Sequence, residues 1–213
     1  MGSRKNGRQG AAQRPLVAFD FDGTLSFRDS FMAFLAWRSG GAAYAVGLVR
    51  LAPAALAYLF HRDRGRLKAA ATEIFLRGLK RAELEAACQA FSTSRLGRRL
   101  IRPDAEQRWR RWKEAGAELV IVTASPEEVV APFARRLGAD RLIGTRLTFD
   151  SDERVTGAFD TENCRGMEKV ARLKAAYGQD VRLAAAYGDT SGDREMLALA
   201  EEKGYRVFTG RAP

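Results

Sequence analysis

The chain has 213 residues, which suffices for one α/β domain with a modest insertion, and its formal net charge is +10. The two cysteines, Cys88 and Cys164, stand far apart, which excludes a disulfide framework and favours a reducing, cytoplasmic compartment. The single histidine, His61, excludes a multi-histidine metal cluster and argues against a histidine general base.

The positive charge allows more than one interpretation. No motif of a DNA- or RNA-binding module is present and the arginines are scattered along predicted helices, so we expect no nucleic-acid partner. A positive field that attracts phosphorylated substrates or an anionic membrane surface fits better. A general arginine bias of the proteome would give the same charge.

The first half of the chain predicts one strand followed by helices. Residues 1–14 are rich in glycine and basic residues without an apolar stretch, and we expect a disordered tail there and not a signal peptide. Leu16–Phe19 is the first predicted strand. Helices are expected at residues 29–38, 42–60, 66–76 and 82–95. We therefore predict a helical cap at residues 28–102, inserted into a core of residues 15–27 and 103–213.

The second half alternates between strands and helices. Strands are predicted at residues 119–122, 181–186 and 205–208, and an antiparallel hairpin at 142–149 and 154–159. Helices are predicted at Pro103–Glu114, Glu127–Leu137 and Met167–Tyr177, and at residues 193–202. Ser125 is expected to cap the second of these, with Glu128 completing a capping box. The alternation predicts an α/β fold, a three-layer Rossmann-like core with a parallel sheet.

Polar residues follow three of the predicted strands. Asp20 and Asp22 come directly after the first strand, and because side chains i and i+2 share a face, both can reach one point at the ligand-binding edge of the sheet. Asp189 and Asp193 follow the strand at 181–186. Buried like charges need a cation or a proton between them, which indicates a metal site or acid–base chemistry. The alternative for the first pair is a turn at Asp22-Gly23 with Asp20 as a helix cap.

The predicted strand at residues 119–122 is the third that polar residues follow, and these are Thr123-Ala124-Ser125. A hydroxyl group beside the free N–H groups of a helix start would bind a phosphate. Ser125 itself is expected to be a structural cap and not a nucleophile, since no histidine is available to activate it.

The order DFDGTL, IVTAS, Lys169 within GMEKVARL, and GDTSGD resembles the four motifs of the haloacid dehalogenase superfamily. In particular it resembles the phosphoserine-phosphatase-like branch, in which a helical cap follows the first motif. The stretches GMEKVARL and YGDTSGDREML are also similar to the bacterial phosphatidylglycerophosphatase C family.

The resemblance implies a Mg²⁺-dependent phosphatase that works through an aspartyl-phosphate. Asp20 would be the nucleophile, and Asp22 the acid that protonates the leaving oxygen and then the base that activates water. The implied Mg²⁺ ligands are Asp20, Asp189, Asp193 and the backbone carbonyl of Asp22. The implied phosphate-binding residues are Gly23, Thr123, Ala124 and Lys169.

Two of these residues, and Asp29 as a further candidate for substrate binding, have simpler interpretations. Lys169 could be a solvated lysine of an amphipathic helix, and Asp193 could be the N-cap of the last helix. Asp29 stands nine residues after Asp20, where phosphoserine phosphatases carry a glutamate that reads the substrate. An aspartate before Ser30 and a helix serves equally well as a cap, which puts phosphoserine itself in question.

The segment at residues 41–60, GAAYAVGLVRLAPAALAYLF, is almost wholly apolar. Arg50, Pro53 and the many alanines argue against a membrane span. Packing within the cap is the simpler expectation. The alternative is peripheral contact with the inner face of a membrane, favoured by basic residues on both sides of the segment, at Arg38, Arg62, Arg64, Arg66 and Lys68.

The apolar segment and the basic charge make a lipid or membrane-associated phosphate, phosphatidylglycerophosphate first, the leading substrate hypothesis. A soluble phosphate ester such as phosphoserine is the first alternative. The second is a regulatory protein that uses a phosphatase fold for binding alone.

Overall fold

The computed structural model describes residues 14–61 and 64–210. In chain order the elements are β1 (Leu16–Phe19), α1 (Ser30–Ser39), α2 (Gly41–His61), α3 (Arg64–Leu76), α4 (Arg81–Thr93), α5 (Arg95–Arg98), α6 (Pro103–Glu114), β2 (Glu118–Pro126), α7 (Glu127–Leu137), β3 (Arg141–Thr145), β4 (Leu147–Phe149), β5 (Val155–Phe159), α8 (Met167–Tyr177), β6 (Leu183–Gly188), α9 (Arg194–Ala198) and β7 (Ala200–Tyr205). A tight turn, Phe21–Leu25, follows β1, and a short 3₁₀ turn, Ser191–Asp193, precedes α9.

The core is a five-stranded parallel sheet in the order β3-β2-β1-β6-β7. Successive side chains of a strand point to opposite faces, so β1 buries Val17 and Phe19 on one side and Ala18 on the other. The first side packs against α6 and α7, where Trp109 and Phe133 lie. The second side packs against α8 and α9. The predicted α/β class with a three-layer, Rossmann-like core is confirmed.

Five helices, α1 to α5, lie between β1 and α6 at the place predicted for the cap. An isolated β-bridge between Ser26 and Ile101 joins the segments that lead out of the core and back into it. Arg14, which we expected to belong to the disordered tail, donates hydrogen bonds to the carbonyls of Gly116 and Ala117. The rest of the predicted tail lies outside the described residues.

Helix α2 packs closely against α3 on one side. A Cβ added at Gly47 would lie 2.1 Å from Cζ of Phe75, and the ring of Tyr44 lies 5.6 Å from that of Phe75. Gly47 and Leu51 are the buried residues of α2, and most of the helix surface is exposed. By length and composition alone, α2 is the one helix in residues 14–61 and 64–210 that could cross a membrane. The expectation of ordinary packing within the cap therefore holds for one side of the helix.

Two sequence predictions of secondary structure are wrong. The strand expected at residues 142–149 is divided between β3, which joins the parallel sheet, and β4, which pairs antiparallel with β5. The helix expected at 193–202 ends at Ala198, and the last strand is Ala200–Tyr205 instead of 205–208. The charged run Glu201-Glu202-Lys203 resembles a solvated helix, but it forms the exposed edge of the sheet, where charged side chains protect an open strand.

Candidate active site

The nucleophile predicted from the sequence lies at the carboxyl end of β1. The Asp20 N–H donates to the Tyr187 carbonyl at 2.9 Å, which continues the pairing of β1 with β6, and the Asp20 side chain is buried. The chain then turns sharply at Gly23, whose φ is +83°. A Cβ on Gly23 would lie 2.3 Å from Oδ2 of Asp189, so only glycine allows this close approach of the two loops.

Three carboxylates gather at this edge of the sheet. Asp20, Asp189 and Asp193 each offer an oxygen atom, and these atoms all lie within 4.8 Å of one another. The Oγ1 atom of Thr24 lies 3.4 Å from an oxygen of Asp20 and 3.4 Å from one of Asp189. Such a set of hard oxygen donors fits Mg²⁺, which prefers a few carboxylates and retains water molecules.

Lys169 is buried between two of these carboxylates. Its Nζ donates to Oδ1 of Asp20 at 2.6 Å, to Oδ1 of Asp193 at 2.7 Å and to the Val122 carbonyl at 2.6 Å. An ammonium group has three donors, and all three are used. Burial lowers the pKa of Lys169, but the Asp20 and Asp193 carboxylates outweigh burial and raise it, so the side chain is charged. The interpretation of Lys169 as a solvated surface residue is wrong.

The site holds more negative than positive charge. Burial, together with Asp193 and Asp22, raises the pKa of Asp20 to about 7 although Lys169 opposes the shift. Burial and the neighbouring Asp193 likewise raise the pKa of Asp189. A bound divalent cation would offset this excess of negative charge. The charge of the site therefore agrees with a metal site, as its oxygen donors do.

Asp193 is held more tightly than its neighbours. Its Oδ2 accepts hydrogen bonds from the N–H and the hydroxyl of Thr190, both at 2.9 Å, and from the Asp189 N–H at 3.2 Å. Burial works against the charged form, but Lys169 and the bonds from Thr190 lower the pKa of Asp193. The residue thus fixes the loop that carries Asp189, in addition to contributing a carboxylate to the cluster.

The Asp22 carboxylate is not one of the three that form the carboxylate cluster, although it lines the same cavity. Its Oδ1 accepts the Ser30 N–H at the start of α1, at 2.7 Å, and its Oδ2 accepts the hydroxyl of Ser125. This geometry leaves only the backbone carbonyl of Asp22 for the expected metal contact. It also corrects the role of Ser125, which does not cap α7: strand β2 continues through Pro126, and Pro126 occupies the N-cap position without a side-chain bond.

The expected phosphate-binding segment is only partly open. Ala124 lines the cavity described below. Thr123 is fully buried, and its Oγ1 accepts the Ser125 N–H at 3.0 Å. The proposed capping glutamate, Glu128, instead faces the Leu147 N–H at 3.4 Å.

A cavity of about 300 Å³ lies between the core and the cap. Its core side carries Ala124 and seven charged or polar residues: Asp20, Asp22, Asn163, Arg165, Lys169, Thr190 and Asp193. Its cap side combines the apolar Met32, Leu67 and Ala71 with Asp29, Tyr58 and Lys68. A reacting charged group could therefore bind at one wall while an apolar portion of the same molecule contacts the other.

Two charged cavity residues were missed by the sequence analysis as site residues. Lys68 of α3 donates from Nζ to the Ala124 carbonyl and to Oγ of Ser125, both at 3.1 Å. Arg165 donates to the hydroxyl groups of Thr190, at 3.3 Å, and Ser191, at 2.9 Å. Lys68 stands in a basic stretch, and Arg165 directly precedes Gly166, the N-cap residue of α8. Neither feature of the sequence indicates that the side chain faces the site.

Asp29 is both the N-cap residue of α1 and part of the cavity wall, the two positions that its sequence context allowed. Its Oδ1 accepts the Met32 N–H at 2.9 Å and so caps α1, and the residue also lines the cavity. Its Oδ2 lies 3.9 Å from Nζ of Lys68.

Comparison with known proteins now identifies the family. The family model described as haloacid dehalogenase-like hydrolase matches residues 17–198. The chain belongs to the haloacid dehalogenase-like hydrolases. Protein CicA of Caulobacter vibrioides is 58% identical over 196 residues, which cover 92% of this chain and 87% of CicA.

Two solved structures show the same fold. A protein of unknown function from Bordetella pertussis superposes with a TM-score of 0.71 at 25% identity, over 87% of this chain and 86% of that one. A phosphoserine phosphatase, solved as an analogue of its phospho-aspartyl intermediate, superposes with a TM-score of 0.58 at 20% identity, over 92% and 89% of the two chains. The family model confirms the predicted superfamily and the prediction of a hydrolase. The likeness to the phosphoserine phosphatase shows a shared fold.

Within this haloacid dehalogenase-like hydrolase, the sequence-predicted residues come from distant parts of the chain to one edge of the sheet. Asp20 follows β1, Ala124 lies near the end of β2, Asp189 follows β6, and Lys169 reaches in from α8. The individual roles assigned to them stay predictions. Their meeting place is where open α/β sheets bind ligands.

Proposed function

We propose that the chain is a Mg²⁺-dependent phosphomonoesterase that acts through a phosphoryl group carried by Asp20. The observation that supports this most directly is the buried contact of 2.6 Å between Asp20 and Lys169, beside carboxylates of Asp189 and Asp193 and at the charged wall of a cavity. A carboxylate nucleophile divides the slow hydrolysis of a phosphate ester into two easier steps.

In the first step, an oxygen of Asp20 attacks phosphorus and the bond to the ester oxygen breaks. Lys169 holds Oδ1 of Asp20, which fixes the plane of the nucleophilic carboxylate and balances its charge. Asp22 gives a proton to the departing oxygen, so that an alcohol leaves. In the second step Asp22 takes a proton from water, the water oxygen attacks phosphorus, and inorganic phosphate and the free Asp20 carboxylate result.

Asp20, Asp189 and Asp193 would hold the metal ion. When bound, Mg²⁺ supplies positive charge that offsets the repulsion between the phosphate and these carboxylates. The Ala124 N–H, at the cavity wall, is suited to a phosphoryl oxygen, whereas the Gly23 N–H already donates to Oγ of Ser26 at 3.4 Å. The ammonium of Lys169 stabilises negative charge that develops on the phosphoryl group.

We propose that the substrate is a lipid or other membrane-associated phosphate, with phosphatidylglycerophosphate the first candidate. The support is the apolar cap wall formed by Met32, Leu67 and Ala71 opposite the charged wall. A specific observation favours the soluble alternative: Asp29 and Lys68, 3.9 Å apart on the cap side, could pair with the ammonium and carboxylate of a phosphorylated amino acid.

The Asp20→Asn variant tests the reaction. We expect turnover of a generic phosphate ester in Mg²⁺ to fall on the order of 10⁴-fold or more, because an amide is a very poor nucleophile. The matched control is Asp152→Asn, which makes the same change at an exposed loop residue and should leave turnover unchanged. Near-normal turnover by Asp20→Asn, with a native circular dichroism spectrum, would refute the assignment.

A substrate comparison tests the finer proposal. Phosphatidylglycerophosphate dispersed in detergent and a panel of soluble esters that includes phosphoserine are compared at equal enzyme concentration by phosphate release. Faster turnover of the lipid supports the proposal, and turnover of the soluble esters alone contradicts it. Release of no phosphate from any of them, with Mg²⁺ present, would favour the non-catalytic alternative.

A further inference from the structure

Helix α2 carries a continuous exposed apolar surface. Val46, Val49, Pro53, Leu56 and Phe60 are all exposed and follow one another at intervals of three and four residues, so they lie along one face of the helix. We call these five residues the α2 stripe. Val49 is 74% exposed and Phe60 82%, which is unusual for large apolar side chains. The stripe is about 21 Å long at 1.5 Å per residue.

The stripe is not needed for packing within the cap. The opposite face of α2 already packs against α3, through the close contact of Gly47 with Phe75 and the burial of Leu51. No residue in the described part of the chain covers the stripe. Contiguous apolar surfaces of this kind mark sites of interaction with proteins or membranes.

The charge around the stripe selects the kind of partner. Residues 30–61 contain no aspartate or glutamate, and the exposed Arg50 lies one position after Val49. The whole chain has a net charge of +10. Two copies of a chain with this charge repel each other, whereas an anionic bilayer attracts it, at about 1 kcal/mol per basic residue near the surface.

The packing of α2 argues for a helix that lies along the membrane and does not cross it. To cross, α2 would have to separate from α3, expose Phe75 and carry Arg50 into the hydrocarbon region, where an arginine is costly. A helix that lies in the interface keeps its contact with α3, immerses one apolar face and leaves the arginine at the level of the headgroups.

We propose that the α2 stripe docks the enzyme on an anionic phospholipid bilayer. The same helix contributes Tyr58 to the catalytic cavity, from a face different from that of the stripe. Docking would therefore hold the cavity beside the membrane surface, where a phosphorylated lipid presents its headgroup. Only this last consequence rests on the proposed function, because docking itself is measured without turnover.

The test is binding of the full chain to vesicles, measured by co-sedimentation. We expect binding to vesicles of equal parts phosphatidylcholine and phosphatidylglycerol, and much weaker binding to phosphatidylcholine alone. The Val49→Ser/Phe60→Ser variant should lower the partition coefficient about 100-fold, because each side chain contributes roughly tenfold when immersed. Arg50→Gln should lower it about fivefold on the anionic vesicles only.

Val207→Ser is the matched control, because Val207 is 51% exposed but belongs to the core side of the molecule. It should bind like the unchanged protein. Turnover of a soluble ester without vesicles should be the same in all these proteins, which separates failure of docking from failure of the proposed chemistry. Three results would overturn the proposal: no binding to anionic vesicles, equal binding by Val49→Ser/Phe60→Ser, or a dimer that this variant converts to monomer.

Discussion

Replacing Lys169 by methionine tests the electrostatic design of the site. The change keeps most of the length of the side chain but removes an ammonium that makes three hydrogen bonds of 2.6 to 2.7 Å. Two buried carboxylates, Asp20 and Asp193, would lose their positive partner, and the Val122 carbonyl would lose its donor. Leaving a buried charge without its partner costs about 3–5 kcal/mol.

For a chain of this size, each 1 kcal/mol lowers Tm by about 2–4 °C, so we expect Lys169→Met to lower Tm by about 6–20 °C without metal. Saturating Mg²⁺ should recover part of the loss, because a cation near Asp20 and Asp193 replaces some of the missing charge. Turnover should fall on the order of 10²–10³-fold even with Mg²⁺, since the ammonium also stabilises charge on the phosphoryl group.

The assay is thermal unfolding by circular dichroism, with and without Mg²⁺, alongside phosphate release. Lys174→Met is the matched control: it removes a partly exposed lysine of the same helix and should change Tm by little. A Tm of Lys169→Met equal to that of the unchanged protein in the absence of metal would refute the reasoning. So would full activity in Mg²⁺.

Three further predictions concern the surroundings of Asp20. Gly23→Ala should abolish activity, because the added Cβ would lie 2.3 Å from Oδ2 of Asp189. The control is Gly116→Ala, where φ is +77° and no atom lies within 4 Å of the added Cβ. It should lower the free energy of unfolding by only about 1–2 kcal/mol. Asp189→Asn should remove the rise in Tm that Mg²⁺ gives the unchanged protein; an undiminished rise would place the metal elsewhere. Ser125→Ala removes a hydrogen bond to Asp22 and should slow esters with poor leaving groups by about tenfold and nitrophenyl phosphate by less. Equal slowing of both ester types would argue against an acid role for Asp22.

The convergence of the carboxylates could be predicted because it follows from strand geometry. Asp20 directly follows β1, and Asp189 directly follows β6. Parallel strands bring their carboxyl ends to the same edge of a sheet. The sheet pairs β1 with β6, so the two loops are neighbours although 169 positions separate their aspartates. Gly23 then permits the contact.

The hydrogen-bond partners of Asp22 could not be predicted in the same way. The sequence Ser125-Pro126-Glu127-Glu128 has the composition of a helix N-terminus, and this local pattern led to the capping interpretation. The structure extends β2 through Pro126, which turns the Ser125 hydroxyl toward Asp22 and brings it within reach of Lys68 from the cap. A contact made by three separate segments leaves no periodic signal in any of them.

The apolar segment at residues 41–60 shows where a sequence pattern stops being informative. A helix that is apolar on every side is buried, lies against a membrane or spans one, and its periodicity does not distinguish these cases. The structure does, because the face with Gly47 and Leu51 is used for packing while the face with Val49 and Phe60 is not. An apolar face that the described fold leaves uncovered, on a helix that also lines the cavity, indicates a partner that lies close to the cavity. The anionic bilayer that we propose as this partner would meet both the chemical and the spatial requirement.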